Sequence, residues 1–169
     1  MASQSNALCT LEAPSKQPRA AHQVPESHVS HPLVRKFADY WRSLRGEQGV
    51  PFKSGFDPVI DAPRIVSNVL IYDVLDGGRD FRVRLIGDEV VSHFGRNIAG
   101  LKVSDYTPIN PNLLIDLYSI PLQQGELAFY QGSYEREGRG FVIYDAAFGP
   151  LLSPSGSIDF LTGVVAYTS

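Results

Sequence analysis

Cysteine occurs once in this 169-residue chain, at position 9. A lone Cys9 excludes a disulfide framework and a thiolate metal centre, and it points to a reducing compartment. Long apolar runs are missing as well. No stretch approaches the roughly 18 apolar residues of a membrane-spanning helix, and the N-terminus has no apolar run of signal-peptide length. The chain reads as cytoplasmic and without membrane insertion. Charge of one sign is also lacking: 15 Lys and Arg stand against 18 Asp and Glu, a net charge of -3, so the electrostatic footprint of a nucleic-acid binder is absent. There is no Gly-x-Ser-x-Gly turn, no paired-histidine metal motif and no phosphate-cradling loop. What the chain does hold is 43% hydrophobic residues, enough for one packed domain.

That apolar content is unevenly spread. Residues 1–32 carry Pro14, Pro18, Pro25 and Pro32 among Ser, Gln and Ala, with few large apolar side chains. Burial there cannot offset the entropy of ordering, so a disordered tail is expected, and its His22, His28 and His31 read as polar tail rather than metal ligands. One ordered domain is expected over 33–169. It starts with Leu33, Phe37, Tyr40, Trp41 and Leu44, whose three- and four-residue spacing makes one apolar stripe of a helix ending near Gly46.

Punctuation organises the rest. Asp57-Pro58 reads as a helix N-cap followed by proline in the first turn. Two strands flank Asp76-Gly77-Gly78, a hairpin sequence. In the second of them, Phe81, Val83 and Leu85 alternate with Arg82, Arg84 and Ile86, the period of a strand. Gly87 then leads into a helix at about Asp88 to Phe94, and Gly95 and Gly100 read as corners. Asn110-Pro111 opens another helix, which Pro121 is expected to end or kink. Three strands follow, separated by turns at Glu137-Gly138-Arg139-Gly140 and Ser153-Pro154-Ser155-Gly156. A hairpin on each side of a helical insert predicts an α+β fold: one antiparallel sheet with helices packed on it.

In this order the elements resemble a PAS domain, in which five strands form a sheet and helices between the second and third cup a pocket. The chain more specifically resembles a PAS-like family of mostly alphaproteobacterial proteins, formerly a domain of unknown function. The matching pieces are Tyr40-Trp41 with Leu44-Arg45, Asp57-Pro58, Arg84 with Gly87, Gly95 with Gly100, and Pro150-Leu151 with Gly156, spanning about residues 33–167. Ser67-Asn68 departs from the family's usual Leu-Pro, and His93 stands at a variable position. The resemblance implies a sensory or interaction module with no assigned chemistry.

Three kinds of function are then open. A small-pocket enzyme would draw on Asp73, Asp145, Tyr72, Tyr130, Tyr144 and His93, but these have no catalytic spacing. A haem sensor would use His93, the one histidine of the expected domain, as PAS domains can. A flavin photosensor lacks its cysteine, since Cys9 is in the tail. A small organic ligand would meet Tyr106, Tyr130, Tyr144, His93 and Arg84, and a pocket-facing Arg84 would select a carboxylate. On the outer face Arg84 would instead pair with Asp73 or Glu135. Because no output domain follows the last strand, the signal is expected to pass between molecules, to a signalling partner and within a homodimer whose interface is Leu33, Phe37, Tyr40, Trp41 and Leu44.

Overall fold

A computed structural model describes residues 20–106, 110–136 and 140–168. Cys9, most of the expected tail and the turn at 137–139 lie outside them. Six strands form one antiparallel sheet: β1 (Ala20–Val24), β2 (Val69–Leu75), β3 (Asp80–Ile86), β4 (Ala128–Arg136), β5 (Gly140–Leu152) and β6 (Ile158–Thr168). Their order across the sheet is β1-β4-β5-β6-β2-β3. The α-helices are α1 (Pro32–Ser43), α2 (Pro58–Asp61), α3 (Asp88–Phe94), α4 (Val103–Tyr106) and α5 (Pro111–Gln124). Strands β2 to β6, with α3, α4 and α5 between the second and third of them, give the PAS-like α+β plan.

The sixth strand, β1, lies inside the segment read as disordered tail. It pairs along β4, from Ala20 opposite Ser133 to Val24 opposite Phe129. Backbone ladder bonds to a sheet edge do not depend on side-chain hydrophobicity, so composition misses them. Beyond β1 the chain is tied down. Val29 is buried, Glu26 takes both terminal nitrogens of Arg42 at 2.6 and 2.8 Å, and one Asp145 oxygen accepts the Ser30 and His31 N–H groups. Ordered structure is thus described from residue 20, inside the segment expected to be a tail up to residue 32.

Both faces of the sheet are covered. On the outer face, α1 and the buried Phe56, Ala62 and Ile65 pack on Ile71, Ala147, Leu151 and Val164. The His31 side chain caps α1 by accepting the Leu33 N–H. Its inward stripe is Val34, Phe37, Ala38 and Trp41, and Phe37 and Trp41 are 0% exposed. The Trp41 indole N–H donates to the Pro150 carbonyl at 3.1 Å. It comes so close because Gly149 has no side chain, since a Cβ there would stand 2.7 Å from the indole nitrogen. Phe37 and Trp41 are thus corrected from partner anchors to core. Leu33, Tyr40 and Leu44 pack at the margin of the same cluster. An outer sheet face needs a lid, and burying each large side chain is worth about 1.5–3 kcal/mol.

On the inner face, Tyr72, Phe81, Val83, Phe148 and Leu161 meet α3, α4 and α5. Pro121 does not stop α5, which runs on to Gln124 and closes on Gly125 at φ 65°. Proline lacks the N–H that would reach back to the Leu117 carbonyl. That carbonyl accepts instead from the Tyr130 hydroxyl at 2.5 Å, so the helix continues without a lost bond.

Candidate functional site

Strand alternation puts tyrosines on the inner face of four strands: Tyr72 of β2, Tyr130 and Tyr134 of β4, Tyr144 of β5 and Tyr167 of β6. Gly132, between the two β4 tyrosines, stands opposite Tyr144, and Tyr144 stands opposite Tyr167. Tyr106 of α4 and Tyr118 of α5 close over them. Together with Leu70, Val90, Ile98, Leu114 and other apolar side chains they line a cavity of about 110 Å3 that is partly open to the surface.

The hydroxyls are largely accounted for. Tyr72 contacts the hydroxyls of Tyr106 and Tyr118, each at 3.1 Å. Tyr130 is held by Leu117. Tyr134 is hydrogen-bonded to His93 Nδ1, while His93 Nε2 lies 3.3 Å from Glu89. The His93 ring lies flat on Tyr167, with centroids 3.7 Å apart and planes within 6°. Among the described residues, the Tyr144 and Tyr167 hydroxyls have no hydrogen-bond partner. Burial pushes the phenols of Tyr72, Tyr118, Tyr130, Tyr144 and Tyr167 up from their ordinary pKa, and neighbouring tyrosines add to it. At neutral pH the cavity wall therefore offers uncharged donors and acceptors.

Four residues expected at a ligand site line this cavity: Tyr106, Tyr130, Tyr144 and His93. Arg84 does not. It is the extra residue of a bulge, because Val83 opposes Tyr72 while Leu85 opposes Ile71. It points to the outer face, 2.7 Å from Asp73, with its guanidinium over Phe160. The carboxylate-selecting role of Arg84 is thereby corrected. The same bulge turns Leu85 outward, to 45% exposure, away from Phe81 and Val83. The sequence reading missed Tyr118, Tyr134 and Tyr167 as lining residues. Tyr134 was there to be found four residues from Tyr130, and Tyr118 four from Leu114. Tyr167 could not be placed by counting from the Ser153–Gly156 turn, because the β5–β6 register shifts between Leu151 and Leu152.

The described lining offers apolar contact and phenol hydrogen bonds. Among the described residues no carboxylate lines the cavity: Asp73 holds Arg84, and Asp145 holds the N–H groups of Ser30 and His31 and the Gln131 amide, all on the opposite face. His93 has both nitrogens engaged and its ring covered, which does not suit an axial haem ligand. Among the described residues no group of His, Cys, Asp and Glu could hold a metal, and no helix is long and apolar enough to cross a membrane.

No family model matches the chain, and no curated protein does. Among solved structures it is similar to a light-oxygen-voltage domain whose mechanism was probed with a flavin analogue, at 14% identity and TM-score 0.47, covering 68% of this chain and 87% of that one. It is similar to the PAS domain of an HTR-like protein from Haloarcula marismortui, at 13% identity and TM-score 0.38, over 62% and 86% of the two chains. An RNA-binding light-oxygen-voltage receptor matches at 13% identity and TM-score 0.46, over 88% of this chain and 39% of the receptor. The likeness is one of broad architecture, and the chemistry of the cavity follows from this chain's own residues.

Proposed function

We propose that this chain is a sensory module in which a small molecule held in the tyrosine-lined cavity alters contacts with another protein. The observation that supports it is the pocket, about 110 Å3, between the inner face of the sheet and its helices, bordered by Tyr144 and Tyr167 hydroxyls that no described residue hydrogen-bonds. Interiors keep few voids larger than a water molecule, and buried polar groups are normally hydrogen-bonded. A largely apolar pocket with two hydroxyls at its border fits a small molecule that fills the one and meets the other. The test is mass spectrometry of the purified chain under non-denaturing conditions. An extra small-molecule mass, lost on denaturation, is the expected result. A bare chain with no thermal shift toward any small-molecule panel would overturn the reading.

Contacts between molecules find support in a separate place. Phe141 and Ile143 are 63% and 56% exposed. They alternate with the buried Val142 on β5 and share the face of Asp145, past the cover that α1 supplies. Two adjacent large apolar side chains on an open sheet face suit a protein contact, including self-association. Light scattering on the wild type and on Phe141→Asp with Ile143→Asp tests this. A dimer that the double variant abolishes is expected, and a monomeric wild type at working concentration would remove self-association.

A further inference from the structure

We propose that the cavity ligand is an uncharged single-ring aromatic compound bearing one hydroxyl or carbonyl oxygen, seated at the corner formed by Tyr144 and Tyr167. This rests on the sensory reading above and narrows it to a chemical class. Four features of the site converge. Size comes first: an apolar cavity of about 150 Å3 takes up benzene, and the present one, about 110 Å3, is of single-ring scale. Shape and chemistry come second. Tyr72, Tyr118 and Phe148 pack on one another with ring centroids 5.0 to 6.3 Å apart at tilted angles, an aromatic wall on which a further ring packs edge-to-face or offset.

Charge is the third feature. Among the described residues no Asp, Glu, Lys or Arg lines the cavity, and the cationic candidate that does, His93, is already committed to Tyr134 and Glu89. A carboxylate or ammonium ligand would be desolvated without a counterion, at a cost that an apolar wall cannot repay. The fourth feature fixes the oxygen. Tyr106, Tyr72, Tyr118 and Tyr130 spend their hydroxyls on one another or on Leu117. Tyr144 and Tyr167, opposite each other on β5 and β6, do not. A ligand oxygen at that corner would bond half-buried hydroxyls that no described residue engages.

Three probes of nearly one shape separate the terms: p-cresol, toluene and benzoate, titrated calorimetrically into the full chain at neutral pH. The wild type is expected to bind p-cresol about tenfold tighter than toluene, the scale of one net hydrogen bond, and to leave benzoate unbound. In Tyr144→Phe with Tyr167→Phe the cresol-to-toluene ratio should fall to about one, with toluene binding retained. The two single variants give the same reading if the double variant loses its circular dichroism. Benzoate binding as tightly as p-cresol overturns the inferred class while leaving the sensory cavity intact. A cresol preference that survives both phenylalanines overturns the assigned corner. If none of the three probes binds and the purified chain also carries no small molecule, the cavity reading falls, and this inference with it.

Discussion

Raising the pH through 10 charges tyrosines in an unfolded chain but not the ones buried here. Tyr72, Tyr118, Tyr130, Tyr144 and Tyr167 are all held above their ordinary pKa by burial. The folded form therefore binds more protons than the unfolded form above about pH 10. It follows that stability falls as pH rises: the contribution of each tyrosine is complete below about pH 10 and is lost above it. Each such group removes about 1.4 kcal/mol per pH unit, and five together remove about 7 kcal/mol per unit. A domain of ordinary stability has about 5–15 kcal/mol to lose. The chain should therefore unfold cooperatively about one to two units above pH 10. Tyrosinate absorbance and far-ultraviolet circular dichroism, followed on one sample, are expected to change together. Tyr144→Phe with Tyr167→Phe removes two of the five groups and should flatten the fall. Tyrosines that ionise one by one near pH 10 while the dichroism persists would refute the burial argument.

Trp41→Ala should cost about 3–5 kcal/mol in urea titrations, the range for deleting a buried tryptophan, with the same midpoint at every protein concentration. A concentration-dependent midpoint would restore Trp41 as a partner anchor. Arg84→Ala should cost about 0–1 kcal/mol, because its side chain is 49% exposed and its ion pair with Asp73 lies at the surface; any loss of probe binding would contradict its outer-face position. Asp145→Ala removes the acceptor of two backbone N–H groups, so amide exchange across residues 20–31 should quicken, with a local loss of about 1–3 kcal/mol. Unchanged protection there would show that the β1 ladder alone holds the segment.

Local chemistry was readable where one residue type decides the backbone. Asp76 at φ 50° and Gly77 at φ 70° make the hairpin turn that their sequence suggests. The Asn110 side chain caps α5 by accepting the Leu113 N–H, as Asn-Pro predicts. The spacing of Phe37 and Trp41 located α1, though not what it covers. Short elements were hidden: β1 buries only Val24 of its large side chains beside its ladder, and α4 is one turn long. Pro121 misled because the compensating Tyr130 hydroxyl arrives from a strand, not from the helix itself. The site was partly legible for the same kind of reason. Alternation separates Arg84 from Phe81 and Val83, but it cannot say which face holds the cavity when helices cover both. The bulge at Arg84 is invisible to a period of two.

That period also explains why the two faces of the sheet carry such different polar groups within one residue of each other. On β4, Tyr130 points inward to Leu117 while Gln131 reaches outward to the His28 carbonyl and Asp145. On β5, Tyr144 faces the cavity while Asp145 grips the start of α1. Gln131 and Asp145 are directly opposed partners in the β4–β5 ladder, and Tyr144 is the next residue along. The cavity wall and the tether of the N-terminal segment are therefore two sides of the same few peptide units. Because those units are rigidly laddered, neither side can be repositioned without moving the other. Ala21 of β1 also borders the cavity, so the edge strand that leads into the tethered segment forms part of the wall inside.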